Sequence, residues 1–278
     1  MLLAARVDGL PAATLPVDDR GLAYGDGLFE TMRVAGGRIA LLDGHLQRLA
    51  RGAQALRLPL DLEQVQAELR DFLQAQAAAG RADFTTKLMI TRGSAGRGYR
   101  PLAEAVPRRL LLAYPPATWP AAHAGDGIAL YDCATRLGCN PALAGIKHLN
   151  RLEQVLARAE WDDAHFAEGL LRDGDDRVVE GTMSNLFLVR DGELVTPRLH
   201  RCGVAGVLRG FLVARALTLG IALSERDVSR ADVDGADEVF VCNSNIGIWP
   251  VREFAGRRWL PGPLTRRLQG EVALLWNR

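Results

Sequence analysis

Between Tyr114 and Ala121 the chain reads Pro115-Pro116-Ala117-Thr118-Trp119-Pro120. Three prolines in six positions remove N–H donors and fix φ, so neither a helix nor a strand can run through the segment. It therefore reads as an interdomain linker. The stretches on either side are each long enough to bury a core of their own. Residues 1–117 are expected to form a small N-terminal α+β domain, and residues 121–278 a larger C-terminal domain.

The first half alternates strand and helix signals. Arg38–Leu42 reads as a short strand, with Asp43 at the N-cap of a helix that carries Leu46, Leu49, Ala50, Ala53 and Leu56 at helical spacing to about Leu58. A second helix is predicted from Asp61 to Ala79, stopping at Gly80, followed by strands at Thr85–Thr91 and Arg109–Tyr114. In the second half a strand spans Ile128–Ala134. After Lys147 a helix is expected to place Leu149, Leu152, Val155, Leu156 and Ala159 on one face. Asp173-Gly174 and Asp191-Gly192 mark two hairpins. A helix from Val207 to Leu219 opens in the glycine-containing turn Cys202–Gly206, and a strand at Glu238–Cys242 runs into Asn243-Ser244-Asn245. The chain as a whole is α+β, with no internal repeat.

Composition excludes several roles. Nearly half of the 278 residues are hydrophobic and the net charge is +1, which fits an ordinary globular protein. A basic surface for nucleic acid and an acidic disordered tail are both missing. No apolar run approaches the roughly 18 residues of a membrane span. The N-terminus, MLLAARVDGL, has no basic region followed by a long apolar one, so a cytoplasmic protein is expected. Cys133, Cys139, Cys202 and Cys242 lack CxxC spacing and suggest neither a disulfide framework nor a zinc site. They read as free thiols, and no metal is expected.

The basic residues are more informative. Of 34, only Lys87 and Lys147 are lysines; the other 32 are arginines. A position that stays lysine in such a chain can need what arginine cannot supply, an amine that loses its proton and attacks a carbonyl. Lys87 sits in a strand-like run and reads as a solvated strand residue. Lys147, in Gly145-Ile146-Lys147-His148-Leu149-Asn150-Arg151, stands at a loop-to-helix junction. A lysine at a helix start is ordinarily a surface residue, so this segment decides nothing alone.

Two further segments carry polar chemistry. Val179–Asn185 places Glu180 ahead of small, turn-compatible residues between the two hairpins; it is neither a GxSxG elbow nor part of a calcium loop. The turn before Val207 leaves helix N-terminal N–H groups able to cradle a phosphate, and Asn243–Asn245 offers further donors. The P-loop and Rossmann fingerprints are absent, which leaves a smaller phosphorylated ligand.

Taken in order, Asp19–Thr31, His45-Leu46-Gln47-Arg48, Lys147, Glu180–Asn185 and Gly203–Gly206 resemble the fold type IV pyridoxal-phosphate (PLP) enzymes over nearly the whole chain. This group includes branched-chain and D-amino-acid aminotransferases and aminodeoxychorismate lyases. Leu137–Gln154 and Thr91–Tyr99 look most like the lyases. Glu30 departs from some lyases and matches many aminotransferases, which leaves room for transamination.

The resemblance implies a two-domain fold type IV architecture with PLP as a Schiff base on Lys147. Lys147 would also be the base at the substrate carbon. Glu180 would pair with the pyridine nitrogen. Arg48, the backbone of Val207 and Leu208, and the region of Asn243 and Ser244 would hold the phosphate. Arg97, Tyr99 and Arg92 are the candidates for the substrate carboxylates, with Thr31 or a water protonating the leaving group. The implied reaction is elimination of pyruvate from 4-amino-4-deoxychorismate to give para-aminobenzoate. The alternatives are an aminotransferase for D- or branched-chain amino acids, or a protein that keeps the fold without the chemistry. A homodimer is implied, with one subunit's small-domain loop reaching the other's site.

Overall fold

The structure, a computed structural model, describes residues 1–12, 14–94, 96, 98–102 and 104–276. The chain forms two compact units, Met1–Thr118 together with Ile146–Asn150, and Trp119–Gly145 together with Arg151–Arg278.

The first unit contains β1 (Ala4–Val7), β2 (Leu10–Pro11), α1 (Arg20–Tyr24), β3 (Gly27–Ala35), β4 (Arg38–Ile39), α2 (Leu42–Ala55), α3 (Leu62–Ala78), β5 (Phe84–Thr91) and β6 (Arg108–Tyr114). Its strands form one sheet in the order β2-β1-β6-β5-β3-β4. Period-2 alternation divides the residues between the sheet's two faces. Leu28, Met32 and Val34 of β3, with Phe84, Leu88 and Ile90 of β5, are buried alongside Leu46, Leu49 and Ala53 of α2 and Val65, Leu69 and Phe72 of α3. Each of these side chains other than Ala53 contributes about 1.5–3 kcal/mol through burial. The opposite face, with Phe29, Thr31, Lys87 and Met89, is only half-buried.

Two local expectations fail in this unit. The strand expected over 38–42 stops at Ile39, because Leu41 takes a left-handed conformation (φ 57°) and starts α2 itself. Asp43 accordingly sits in the first turn of α2 and is not its N-cap. Asp61 does cap α3, accepting from the N–H of Gln64 at 3.0 Å.

The second unit contains α4 (Ala121–Gly125), β7 (Ile128–Leu137), α5 (Leu152–Arg158), β8 (Phe166–Asp173), β9 (Val178–Gly181), β10 (Asn185–Arg190), β11 (Glu193–Pro197), α6 (Val207–Thr218), β12 (Leu223–Arg226), α7 (Arg230–Asp234), β13 (Glu238–Asn243), β14 (Gly247–Phe254), β15 (Arg257–Arg258) and α8 (Pro263–Trp276). Pairing runs β10-β13-β14-β7-β8-β9, and β9 pairs back to β10 at Glu180–Asn185, so these strands close into a ring. Inside lie Leu130, Leu170, Leu186, Val241 and Trp249.

The helix expected around Lys147 is displaced. Residues 147–149 run alongside β3: the Phe29 N–H donates to the Lys147 carbonyl at 2.9 Å, and the Leu149 N–H to the Gly27 carbonyl at 3.0 Å. That pairing draws the segment out of helical geometry and groups Lys147 with the first unit, where residues 121–278 had been expected to carry it. The helix starts only at Leu152, and Leu152, Val155 and Leu156 are exposed instead of forming a buried face.

Candidate active site

Lys147 lies on the half-buried face of the first unit's sheet. Its Nζ is 4.3 Å from the Phe29 ring centroid. Gly27 permits this close approach, since a Cβ there would run into the Ile90 carbonyl and the Leu149 side chain. The other lysine meets the same ring: Lys87 Nζ is 4.9 Å from the Phe29 centroid. Lys87 stands directly opposite Thr31 in the β3–β5 register. It is not the freely solvated residue the sequence suggested, for burial lowers its pKa. Both lysine amines thus approach one aromatic ring, whose quadrupole favours cations.

Arg48 stands on the other face of that sheet, fully buried. Its Nε donates to Glu30 Oε1 at 2.8 Å, and a terminal nitrogen bonds Glu30 Oε2. His45 Nδ1 lies 2.7 Å from the same Oε2. Burial alone would push the Glu30 pKa up. The hydrogen bonds and charges of Arg48 and then His45 outweigh it and bring the pKa down to about 2. Glu30 is therefore an anchor for Arg48, turned away from Lys147 by strand alternation.

The proposed carboxylate loop separates into different fates. Arg92 is 4% exposed and spent on structure. It donates to Asp26 at 2.8 and 3.1 Å and to the carbonyls of Arg57 and Leu56 at 2.9 and 2.8 Å. This corrects its assignment to substrate: the guanidinium ties the loop after β5 to the end of α2. Tyr99 is exposed, with its ring 5.6 Å from that of Tyr24. Arg97 lies outside the described residues.

In the second unit, Glu180 is buried at the pairing that closes the ring. Its Oε2 accepts from the Val204 N–H at 2.8 Å. Asn185, opposite it in register, donates from Nδ2 to the Val204 carbonyl at 2.8 Å and lies 3.5 Å from Glu180 Oε2. Asn185 also touches the start of α6, since a Cβ on Gly206 would collide with its Oδ1. Gly206 is the N-cap of α6 and, having no side chain, gives Val207 and Leu208 no side-chain cap. The first N–H groups of α6 are thus not taken up by a side-chain cap.

The turn after Glu180 is organised by Glu168, which is fully buried. Oε1 accepts from the Gly169 N–H (2.9 Å), the Thr182 N–H (3.0 Å) and the Thr182 hydroxyl (2.5 Å). Oε2 accepts from the Met183 N–H (3.2 Å) and the Ser184 hydroxyl (2.7 Å). The Met183 carbonyl then accepts from Asn243 Nδ2 at 3.0 Å, while Asn243 Oδ1 accepts from the N–H groups of Asn245 and Ile246. Asn243 is thereby engaged in bracing two turns, with half-buried Ser244 next to it. Sequence reasoning missed Lys87, Asn185 and Glu168. A buried charge is legible only once its partners are known, although Asn185 lay within the motif that drew attention to Glu180.

The profile of the amino-transferase class IV family matches residues 27–254. This chain belongs to that family. A curated aminodeoxychorismate lyase from Vibrio harveyi is 36% identical, over 96% of this chain and 98% of its own. The crystal structure of 4-amino-4-deoxychorismate lyase from Pseudomonas aeruginosa is 54% identical with a TM-score of 0.93, over 96% of this chain and 97% of that one. A D-alanine aminotransferase from Bacillus licheniformis is 29% identical, over 91% and 88% of the two chains.

Class IV aminotransferases depend on PLP, and the residues present suit that group. In the first unit Lys147 offers an amine able to form an imine, and in the second Glu180 offers a buried carboxylate, the kinds of group that PLP chemistry requires. No helix among the described residues is long and apolar enough to cross a membrane.

Proposed function

We propose that this class IV chain is an aminodeoxychorismate lyase that converts 4-amino-4-deoxychorismate to para-aminobenzoate and pyruvate, the aminobenzoate serving folate synthesis in the cytoplasm. The observation that carries the reading is near-full-length similarity to lyases at 54% and 36% identity, against 29% for the D-alanine aminotransferase. The free cysteines suit a reducing compartment.

PLP bound to Lys147 supplies an electron sink for the pair left behind when a carbon–hydrogen bond breaks. Lys147 Nζ would hold the cofactor covalently and, as a neutral amine, would take the proton from the amine-bearing carbon. Glu180 would hold a proton at the pyridine nitrogen. Arg48, the N–H groups of Val207 and Leu208, and the Asn243–Ser244 turn would hold the phosphate. Lys87, sharing the sheet face with Thr31, pairs with one substrate carboxylate, and Arg97 with Tyr99 with the other. The enolpyruvyl oxygen leaves with the C–O bonding pair and takes a proton from the Thr31 hydroxyl or from water. Substrate atoms are conserved, and aromatisation of the ring makes the step effectively irreversible.

The test is pyruvate release from aminodeoxychorismate with no keto acid present. Lys147→Arg should abolish it, since arginine keeps the charge but forms no imine. Turnover that appears only when a keto-acid acceptor is added would overturn the lyase reading in favour of an aminotransferase. The working unit in this reading is a homodimer. Exposed Leu152, Val155 and Leu156 on α5 supply apolar surface that association would cover. A fully active monomer in solution would remove that part.

A further inference from the structure

The cysteines do not stay scattered in the fold. Cys139 follows β7, Asp173 ends β8, and Cys202 lies in the loop before α6, yet their ligand atoms lie within 4.8 Å of one another. Cys139 Sγ is 3.8 Å from Asp173 Oδ2. We propose that Cys139, Asp173 and Cys202 form a binding site for a thiophilic divalent cation of the zinc class, separate from the lyase chemistry.

The spacing suits such an ion. Two thiolates bound tetrahedrally at about 2.3 Å lie about 3.8 Å apart, so the site has to contract by no more than about 1 Å. Asp173 is set in advance. Its Oδ1 accepts from the N–H groups of Asp175 (2.9 Å) and Arg177 (3.0 Å), which leaves Oδ2 turned toward the thiols. The nearest competitor is Arg177, whose NH1 is 3.5 Å from Oδ2. That guanidinium also bonds Asp175 at 2.7 and 2.6 Å and lies 3.3 Å from Asp227, so it keeps partners when it yields Oδ2.

Binding exchanges two S–H bonds for two metal–sulfur bonds and releases two protons to solvent, with no oxidant or reductant involved. Cys139 is exposed, which gives the ion a way in and leaves a fourth position for water. The loops that carry the thiols are already joined: the Asn140 N–H donates to the Arg201 carbonyl at 2.8 Å, and the Gly145 N–H to the Gly203 carbonyl at 2.9 Å. An ion would cross-link the stretch leading to Lys147 with the stretch that gives Val204 to Glu180.

The experiment titrates the reduced, full-length holoenzyme with Zn2+ against a chromophoric chelator, and with Co2+ to read thiolate-to-metal charge transfer. Expected are one equivalent bound per chain, a thiolate–Co2+ band, and two protons released per ion in weak buffer. Cys139→Ser and Cys202→Ser should each weaken affinity by at least about tenfold and diminish the band. Asp173→Asn should weaken affinity while keeping the band. Cys139→Ser is the decisive variant because that side chain is exposed and its loss leaves folding intact, as thermal melting would verify. No thiolate band in the wild-type chain, or a band and affinity unchanged in Cys139→Ser, overturns the site.

Discussion

Two buried carboxylates, Glu30 in the first unit and Glu168 in the second, are equally hidden from water, at 1% exposure each, and are held in opposite ways. Glu30 is neutralised by Arg48 and hydrogen-bonded by His45 across a sheet–helix contact. Glu168 has no ion-pair partner among the described residues and is held by five neutral donors, four from the turn 182–184 and the N–H of Gly169 beside it. The first arrangement fixes a cation that the proposed phosphate role needs in one orientation. The second shapes the backbone that follows Glu180. Charge pairing and dipole solvation thus support different parts of the proposed PLP chemistry, and they fail under different perturbations.

The largest effect should come from removing Glu30. Glu30→Ala takes from buried Arg48 the carboxylate that it pairs with, at a cost of about 3–5 kcal/mol, read as a lower urea midpoint. Replacing both partners, Glu30→Leu with Arg48→Met, should recover much of that stability while cofactor affinity stays low. If the double variant binds PLP as well as the wild type, the pair has no bearing on the phosphate.

Acid should separate the two carboxylates next. The Glu30 pKa lies below its ordinary value of 4.5, at about 2 in the folded chain. The stability it contributes is fully present above pH 4.5 and is lost as pH falls toward about 2. The amount is about 3 kcal/mol at most, since each tenfold gain in acidity on folding corresponds to about 1.4 kcal/mol. Urea midpoints measured down this range should fall less steeply in the Glu30→Leu/Arg48→Met double variant than in the wild type. Parallel profiles would show that Glu30 does not govern the acid limb.

Glu168→Gln is expected to cost less, about 1–3 kcal/mol, because glutamine keeps the shape and one acceptor while setting an NH2 against donors. The hydroxyls of Thr182 and Ser184 can rotate to accept from it. The backbone N–H groups cannot, so the turn after Glu180 loosens and PLP dissociates more readily. Unchanged PLP affinity in a stably folded Glu168→Gln would confine Glu168 to a structural part.

The sequence exposed the candidate residues unequally. Lys147 stood out because lysine is so rare here, and Glu180 because an acidic residue preceded a run of small ones. The pairing of 147–149 with β3 was hidden, since periodicity past Lys147 fits a helix and the competing hydrogen bonds come from residues 27–29, far away in the chain. Lys87 looked like a solvated strand residue because nothing local announces that Phe29 lies beneath it. Arg92 looked like a substrate ligand because an arginine's partners, here Asp26 and two carbonyls of 56–57, cannot be read from a glycine-rich loop. Cys139 and Cys202 are separated by 62 intervening residues, a spacing no metal motif would flag. Most local signals were legible, the left-handed Leu41 at the start of α2 excepted, and long-range pairing was not.

The smallest effect belongs to a third carboxylate, which completes the gradation. Asp43 lies in the first turn of α2, the helix that carries His45 and Arg48, and it is exposed. Its charge meets the positive end of the helix dipole through solvent, without a buried partner. Asp43→Asn should therefore cost only about 0.3–1 kcal/mol at low ionic strength. The difference should shrink further as salt rises, because screening reaches an exposed carboxylate but not one enclosed with Arg48. Measured together, Asp43→Asn at low and high salt and Glu30→Ala under both conditions would separate the two kinds of charge on one helix. A salt-independent loss of several kcal/mol from Asp43→Asn would mean that the start of α2 depends on a contact its exposure does not reveal.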